Sequence, residues 1–212
     1  MTNQLANIHG LFPTPVYTVN RDSNLIPKEE KEIEKIIKEG MEKKAGNSTS
    51  TNTYIFDENL KELKQFCEQQ IKIYVEQIIN PKEELDFYIT QSWLNITKPG
   101  EFHHEHIHTN SIISGVFYIS TVEDDKLIFA DPNIGMKNQI KFEFREFGSN
   151  IWNSTFWFFP VNNNQLILFP SWLIHRVDPN EKSTTDRISI AFNVFVRGEL
   201  GTRTGYNELI LK

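Results

Sequence analysis

Apolar and polar positions change their rhythm near residue 85. Before that point apolar side chains recur every three to four residues. Ile33, Ile36, Ile37 and Met41 follow Pro27 at helical spacing, so a helix is predicted from Pro27 until Gly46 ends the pattern. A polar loop from Asn47 to Thr53 follows. Asp57 is then placed to cap a second helix whose Leu60, Leu63, Cys67, Ile71, Tyr74 and Ile78 form one stripe, closed by Pro81. Ahead of both, Leu11 to Val19 reads as an extended segment. Its Pro13 and Pro15 cannot donate to a ladder, which puts it at a sheet edge flanking the main sheet.

From Leu85 onward the pattern is one of short apolar runs separated by turn clusters such as Lys98-Pro99-Gly100, Asp131-Pro132-Asn133 and Asn162-Asn163-Asn164. Strands are predicted near 87–97, 106–120, 126–130, 139–145, 151–159, 165–170 and 186–197. Such regular short strands indicate a sandwich or barrel, with the two helices packed outside it. There is no internal repeat and no linker. A single domain over 1–212 is expected: residues 1–84 as supporting strand and helices, 85–198 as the β core, and 199–212 as a tail.

Composition narrows the function classes. Sixteen Phe and four Trp supply a sizeable interior. The net charge of -6 comes from 28 acidic and 22 basic residues, with no basic stripe of the kind that tracks a phosphate backbone. No apolar run approaches the ~20 residues of a membrane span, and the N-terminus lacks a signal-peptide pattern. A soluble, cytoplasmic protein without a nucleic-acid signature is expected, and a homodimer is left open. The single Cys67, on the apolar side of its helix, reads as a buried core thiol.

The chemistry concentrates in His103-His104-Glu105-His106-Ile107-His108, just after the Pro99-Gly100 turn. On an extended chain alternate residues share a face, so His104, His106 and His108 point one way and His103 and Glu105 the other. Two imidazoles two residues apart can reach one metal. A distant third ligand in a suitable context is His175, after the strand Gln165 to Phe169 and the turn Pro170-Ser171-Trp172. Trp172 itself is read as a packing residue. A hydrated His-rich turn is the bland alternative. The adjacent run SIISGVFYIS is apolar enough to be buried, which favours a site.

Arg187 opens the run RISIAFNVFV. Period-two alternation sets Arg187, Ser189, Ala191 and Asn193 on one face and Ile188, Ile190, Phe192 and Val194 on the other. An arginine beside a serine inside a barrel can hold a carboxylate through a charge-assisted pair and a hydroxyl. The competing reading is an edge-strand arginine paired with Asp178 or Asp186.

Several ordered blocks now combine: LFPTPVY, QSWLNITKPGEF, HEHIHTNSIISGVFYI, LIFADP, FPSWLIHRV and DRISIAFN. Together they resemble the 2-oxoglutarate and Fe(II)-dependent dioxygenases, and more closely a branch of small 2OG-Fe(II) oxygenases. The resemblance covers most of the chain. It implies a mainly β fold with flanking helices, a double-stranded β-helix or cupin-like jelly roll. It also implies Fe(II), 2-oxoglutarate as cosubstrate and O2, and hydroxylation of a small-molecule or peptide substrate with release of succinate and CO2. Carried over by position, His106, His108 and His175 are the metal ligands and catalytic centre, and Arg187 binds the far carboxylate of 2-oxoglutarate. His108 stands where the wider superfamily has a carboxylate, so the resemblance implies a three-histidine site.

Around this set, Tyr118 and Ser189 are expected at the cosubstrate carboxylate and Asn95 at its oxo-acid end. His103 with Glu105, which spell H-x-E, form a second-ranked ligand pair, and His104 is assigned to a supporting or substrate-facing position. Loops 47–53, 131–139 and 145–155 are expected to border the pocket mouth. Two other function classes compete. A cupin-type metalloprotein that does not use 2-oxoglutarate, an isomerase or another dioxygenase, would not need Arg187. A non-catalytic β-sandwich binding module would need no metal.

Overall fold

The computed structural model describes residues 7–133 and 148–212. Two antiparallel sheets face one another. The larger contains β1 (Tyr17–Asn20), β2 (Met41–Lys43), β3 (Ser48–Ser50), β4 (Asp86–Thr97), β6 (Ile113–Ser120), β9 (Gln165–Pro170), β11 (Arg187–Leu200) and β12 (Leu209–Leu211). Its order is β1-β9-β6-β11-β4-β3-β2, and β12 folds back on β11. The smaller sheet has β5 (His103–His106), β7 (Lys126–Ala130), β8 (Phe156–Pro160) and β10 (His175–Val177), in the order β5-β10-β7-β8. This is the expected jelly-roll arrangement.

The long strands β4, β6 and β11 separate two cores by side-chain parity. Ile190, Phe192, Val194, Phe117, Ile113 and Leu94 point outward and meet the helices, packing with Phe56, Leu63, Cys67 and Ile71. Tyr118, Leu127, Phe129, Ile167, Phe169 and Leu173 fill the space between the sheets. Gly115 is opposite Phe192 in register, and a Cβ there would lie 2.1 Å from the Phe192 ring. Only glycine lets that ring lie flat on β6. Cys67 is fully buried, as expected of a core thiol, and desolvation pushes its pKa up.

Several helical expectations are corrected. Helix α1 runs Pro27–Glu39, with the Glu29 carboxylate accepting the Ile26 N–H at 3.0 Å at its start. It ends at Gly40, whose φ of 146° an L side chain rarely adopts, so Met41 turns into β2 and Gly46 lies beyond the helix. Asp57 caps nothing. It lies inside the short α2 (Ile55–Glu58) and pairs with Lys64 at 2.6 Å, while α3 (Lys61–Tyr74) begins after Leu60. Ile78 leaves the buried stripe because Val75–Ile79 form a π-helical turn, which shifts the phase of the face and leaves Ile78 exposed.

Three strand expectations change as well. The run predicted over 106–120 divides into β5, a loop over 107–112, and β6. The run at 151–159 becomes a turn followed by β8, and the strand expected at 139–145 lies outside the described residues. Of the extended segment expected over Leu11 to Val19, the part from Tyr17 onward pairs, as β1 (Tyr17–Asn20) with β9 at the edge of the large sheet. Among the described residues no helix is long and apolar enough to cross a membrane.

Candidate metal and cosubstrate site

The site lies between the sheets, and each side chain arrives by a traceable route. His106 on β5 and His175 on β10 are register partners across the small sheet. His108 is in the loop after β5, not on a strand with His106 as parity reading had it. That loop is pinned to the turn before β10: the His108 N–H donates to Ser171 O at 3.0 Å and the Ser171 N–H to Ile112 O at 3.1 Å. The three imidazoles converge, with one potential ligand atom from each lying within 4.8 Å of the others.

Hydrogen bonding selects the atom each ring offers. His106 Nδ1 is 2.7 Å from His104 O, His175 Nδ1 is 2.9 Å from Leu173 O, and His108 Nδ1 is 2.6 Å from Asn193 Oδ1. A carbonyl oxygen only accepts, so each Nδ1 carries the proton and each Nε2 keeps its lone pair. Burial keeps the rings neutral, lowering the pKa of His106, that of His108 to about 4 and that of His175 to about 2. Three neutral imidazoles with free Nε2 atoms are a donor set suited to a divalent metal, and they leave further coordination positions open.

The second-ranked pair does not assemble. Glu105 is half exposed and pairs with Arg176 at 3.1 Å, outside the cluster. His103, which parity turned away, is brought back by a register shift between His175 and Val177, and its ring stacks on His106 with centroids 4.3 Å apart. Its side chain makes no hydrogen bond among the described residues. His104 is exposed and faces the groove described below.

Below the triad, β11 carries Arg187, Ser189, Ala191 and Asn193 toward the interior, as alternation predicted. Ser189 is in register with Tyr118 on β6 and with Asn95 on β4, so the three form one row across adjacent strands. All are buried. Asn95 accepts a hydrogen bond from Asn47 at 3.4 Å. Trp93, in the next row, stacks along His108 with centroids 5.8 Å apart. The Tyr118 hydroxyl is fully buried and has no hydrogen-bond partner among the described residues. Burying an unpaired hydroxyl is costly, which points to a partner supplied by a ligand.

Arg187 is not an edge arginine paired with Asp178 or Asp186. It is buried on a central strand, its Nε lies 3.1 Å from Asp125 Oδ2, and its guanidinium sits 5.2 Å from the Tyr118 ring centroid. The Nε–H is not aimed along the short separation, since neither atom has a hydrogen-bond partner among the described residues, so the contact is ionic. Asp125 was not found from sequence, because the turn that carries it offers no pattern tying it to a residue 62 positions away. Nor was the part played by Asn193, although alternation put it on the right face.

Above the triad an open groove of about 1040 Å³ is lined by Tyr54, Tyr88, Gln91, Trp93, His104 and Phe195 among others. Asn47 and Thr49 line it as expected, although the segment is not all loop: Ser48–Ser50 forms β3. The described parts of the other two loops, 131–133 and 148–155, do not, and the rest lies outside the described residues. Trp172, expected as a packing residue, is half exposed.

Comparison with known proteins agrees with this geometry. A family model described as "Putative 2OG-Fe(II) oxygenase" matches residues 91–193, a segment holding the triad, Arg187, Ser189, Tyr118 and Asn95. No curated protein matches the chain. Among solved structures, the alpha-ketoglutarate-dependent carbocyclase SnoK of nogalamycin biosynthesis superposes with a TM-score of 0.59 at 12% identity, covering 91% of this chain and 85% of that one. HygX from Streptomyces hygroscopicus, solved with nickel, 2-oxoglutarate and hygromycin B, gives 0.57 at 8% identity over 85% and 82%. A Pseudomonas putida prolyl-4-hydroxylase gives 0.54 at 15% identity over 87% and 94%. These likenesses establish the shared fold, and the family match covers the segment that bears the site.

Proposed function

We propose that this protein is a 2-oxoglutarate and Fe(II)-dependent dioxygenase that hydroxylates an organic substrate with release of succinate and CO2. The observation that carries the reading is the buried sequence of groups from one end of the chamber to the other. Three tautomer-locked histidines stand at the top, and an unsatisfied Tyr118 hydroxyl with a buried Arg187 stands at the bottom. His106, His108 and His175 hold the iron, which when bound supplies the site of O2 activation. Arg187, Ser189 and Tyr118 bind the far carboxylate of the cosubstrate, and Asn95 orients its oxo-acid end.

The chamber measures about 40 Å³ as it stands, so its walls must spread to admit 2-oxoglutarate. His103, whose ring stacks on His106 and makes no hydrogen bond among the described residues, is the side chain placed to swing aside. The substrate lies in the groove above, whose aromatic, amide and hydroxyl lining accommodates a small molecule or a peptide segment. The whole chain acts as one oxygenase domain, and the buried thiol of Cys67 accords with a cytoplasmic setting.

Anaerobic titration with Fe(II) and 2-oxoglutarate tests this. A weak visible charge-transfer band is expected for the wild type and lost in Arg187→Ala and in His175→Ala. Iron binding with neither the band nor succinate production would instead make the protein a cupin-type metalloprotein.

A further inference from the structure

The three acceptors that lock the triad are not equivalent. Two are backbone carbonyls, of His104 and Leu173, set by the path of the chain. The third is a side chain, Asn193 Oδ1, and it serves the one histidine that sits in a loop. Asn193 is itself tightly defined. In register it faces Ser114 on β6 and Gln91 on β4. Ser114 Oγ donates to the same Oδ1 at 3.3 Å, which orients the amide with its oxygen toward His108. Ser114 is in turn 2.9 Å from Ser171 Oγ, which is 2.7 Å from Ser111 Oγ. Ser171 belongs to the turn whose carbonyl pins the His108 backbone. On the other side, the register of β4 skips Thr90, and the Thr90 hydroxyl donates to Asn193 O at 3.2 Å. Ring and backbone of His108 are thus tied to one polar network spanning β4, β6, β11 and the turn before β10.

We propose that Asn193 is a positioning residue for the metal centre, holding His108 as the Nδ1–H tautomer with its Nε2 turned to the metal while adding no charge to the site. The proposal rests on the reading of His106, His108 and His175 as metal ligands. An acceptor behind a ligating histidine fixes its orientation and raises its basicity, and losing such a partner typically weakens metal binding by about 10–100-fold. A neutral amide does this more mildly than a carboxylate would. Asn193→Asp therefore keeps the hydrogen bond and makes His108 a stronger donor, whereas Asn193→Ala removes it.

Cobalt(II) titration of the full chain in competition with a chelator, followed by its visible d–d absorption, separates the possibilities. Wild type is expected to bind one Co(II), and Asn193→Ala to bind about 10–100-fold more weakly with altered bands. Asn193→Asp is expected to bind at least as tightly as wild type, with shifted bands. Equal affinity and unchanged spectra in Asn193→Ala would overturn the proposal, as would an Asn193→Asp protein that binds as weakly as Asn193→Ala. Should Asn193→Ala fail to fold, the near-isosteric Asn193→Asp decides alone, because unchanged bands there exclude a link from residue 193 to the metal. Failure of the wild type to bind Co(II) would remove the triad reading and this proposal together, and is told apart from the outcomes above by the wild-type titration itself.

Discussion

Replacing Arg187 with methionine separates what this residue does for the fold from its proposed part in binding the cosubstrate. Arg187 and Asp125 are 5% and 8% exposed, 3.1 Å apart. Methionine retains much of the volume but strands the Asp125 carboxylate. Removing one partner of a buried ion pair costs about 3–5 kcal/mol. The carboxyl is already raised by burial, and Arg187 is the main influence opposing that rise. Without it the carboxyl moves further toward its protonated form, which limits the loss to roughly 3 kcal/mol at neutral pH. The pH dependence has a definite sign. A folded carboxyl with a raised pKa makes the native state hold more protons than the unfolded one, so the stability of Arg187→Met falls as pH rises from about 4 upward. Adding Asp125→Asn removes the stranded charge and is expected to recover about 2 kcal/mol of the loss, measured by urea denaturation of the metal-free protein. Binding of 2-oxoglutarate, followed by the charge-transfer band, is expected to stay lost in both the single and the double variant, because both lack the Arg187 guanidinium and Arg176, which also lines the chamber, is engaged by Glu105 and Asp178. A loss below about 1 kcal/mol in Arg187→Met, or no recovery in the double variant, would refute the description of the pair as a desolvated ionic contact. Retention of the band would refute the carboxylate-binding role.

Tyr118→Phe deletes a buried hydroxyl that has no hydrogen-bond partner among the described residues, so the ligand-free protein should be unchanged or more stable while 2-oxoglutarate binds about tenfold more weakly, a loss near 1.4 kcal/mol; the reverse pattern would show the hydroxyl to be structural. Acid should destabilise the metal-free protein. His175 and His108 are held by burial at about 2 and about 4, below the ordinary value of about 6.5, so the native state binds fewer protons and stability falls as pH drops from about 6.5 toward 4. At pH 5 His175 alone accounts for roughly 2 kcal/mol, and a urea midpoint that is the same at pH 7.5 and pH 5 would contradict the assigned burial. Gly115→Ala drives a methyl into the Phe192 ring and should cost about 1–3 kcal/mol by thermal melting, with partial recovery in Gly115→Ala/Phe192→Leu. Failure of the double variant to recover would place the strain elsewhere.

The amino-acid sequence by itself determined a β sandwich or barrel with supporting helices, which the family resemblance narrowed to a jelly roll, and named His106, His108, His175 and Arg187 as the groups to be brought together. Alternation along RISIAFNVFV predicted the inward face of β11, because period-two parity holds wherever a strand runs unbroken between two cores. The same rule failed across His103 to His108, where the run breaks into a four-residue strand, a register shift and a loop. Parity cannot count through a bulge, so His103 came back to the site and His108 reached it from a loop. Helix phase was lost at Val75 for the same kind of reason, one extra residue in a turn. Only the tertiary structure decided which acceptors stand behind the three histidines and which acid faces Arg187. His104 O and Leu173 O stand two residues from the rings they serve and are set by the local path of the chain, whereas Asn193 and Asp125 are brought in from segments far apart in the chain. Local side-chain patterns carry burial and periodicity, whereas the tautomer of an imidazole and the counter-charge of an arginine depend on what the fold brings within about 3 Å of one atom.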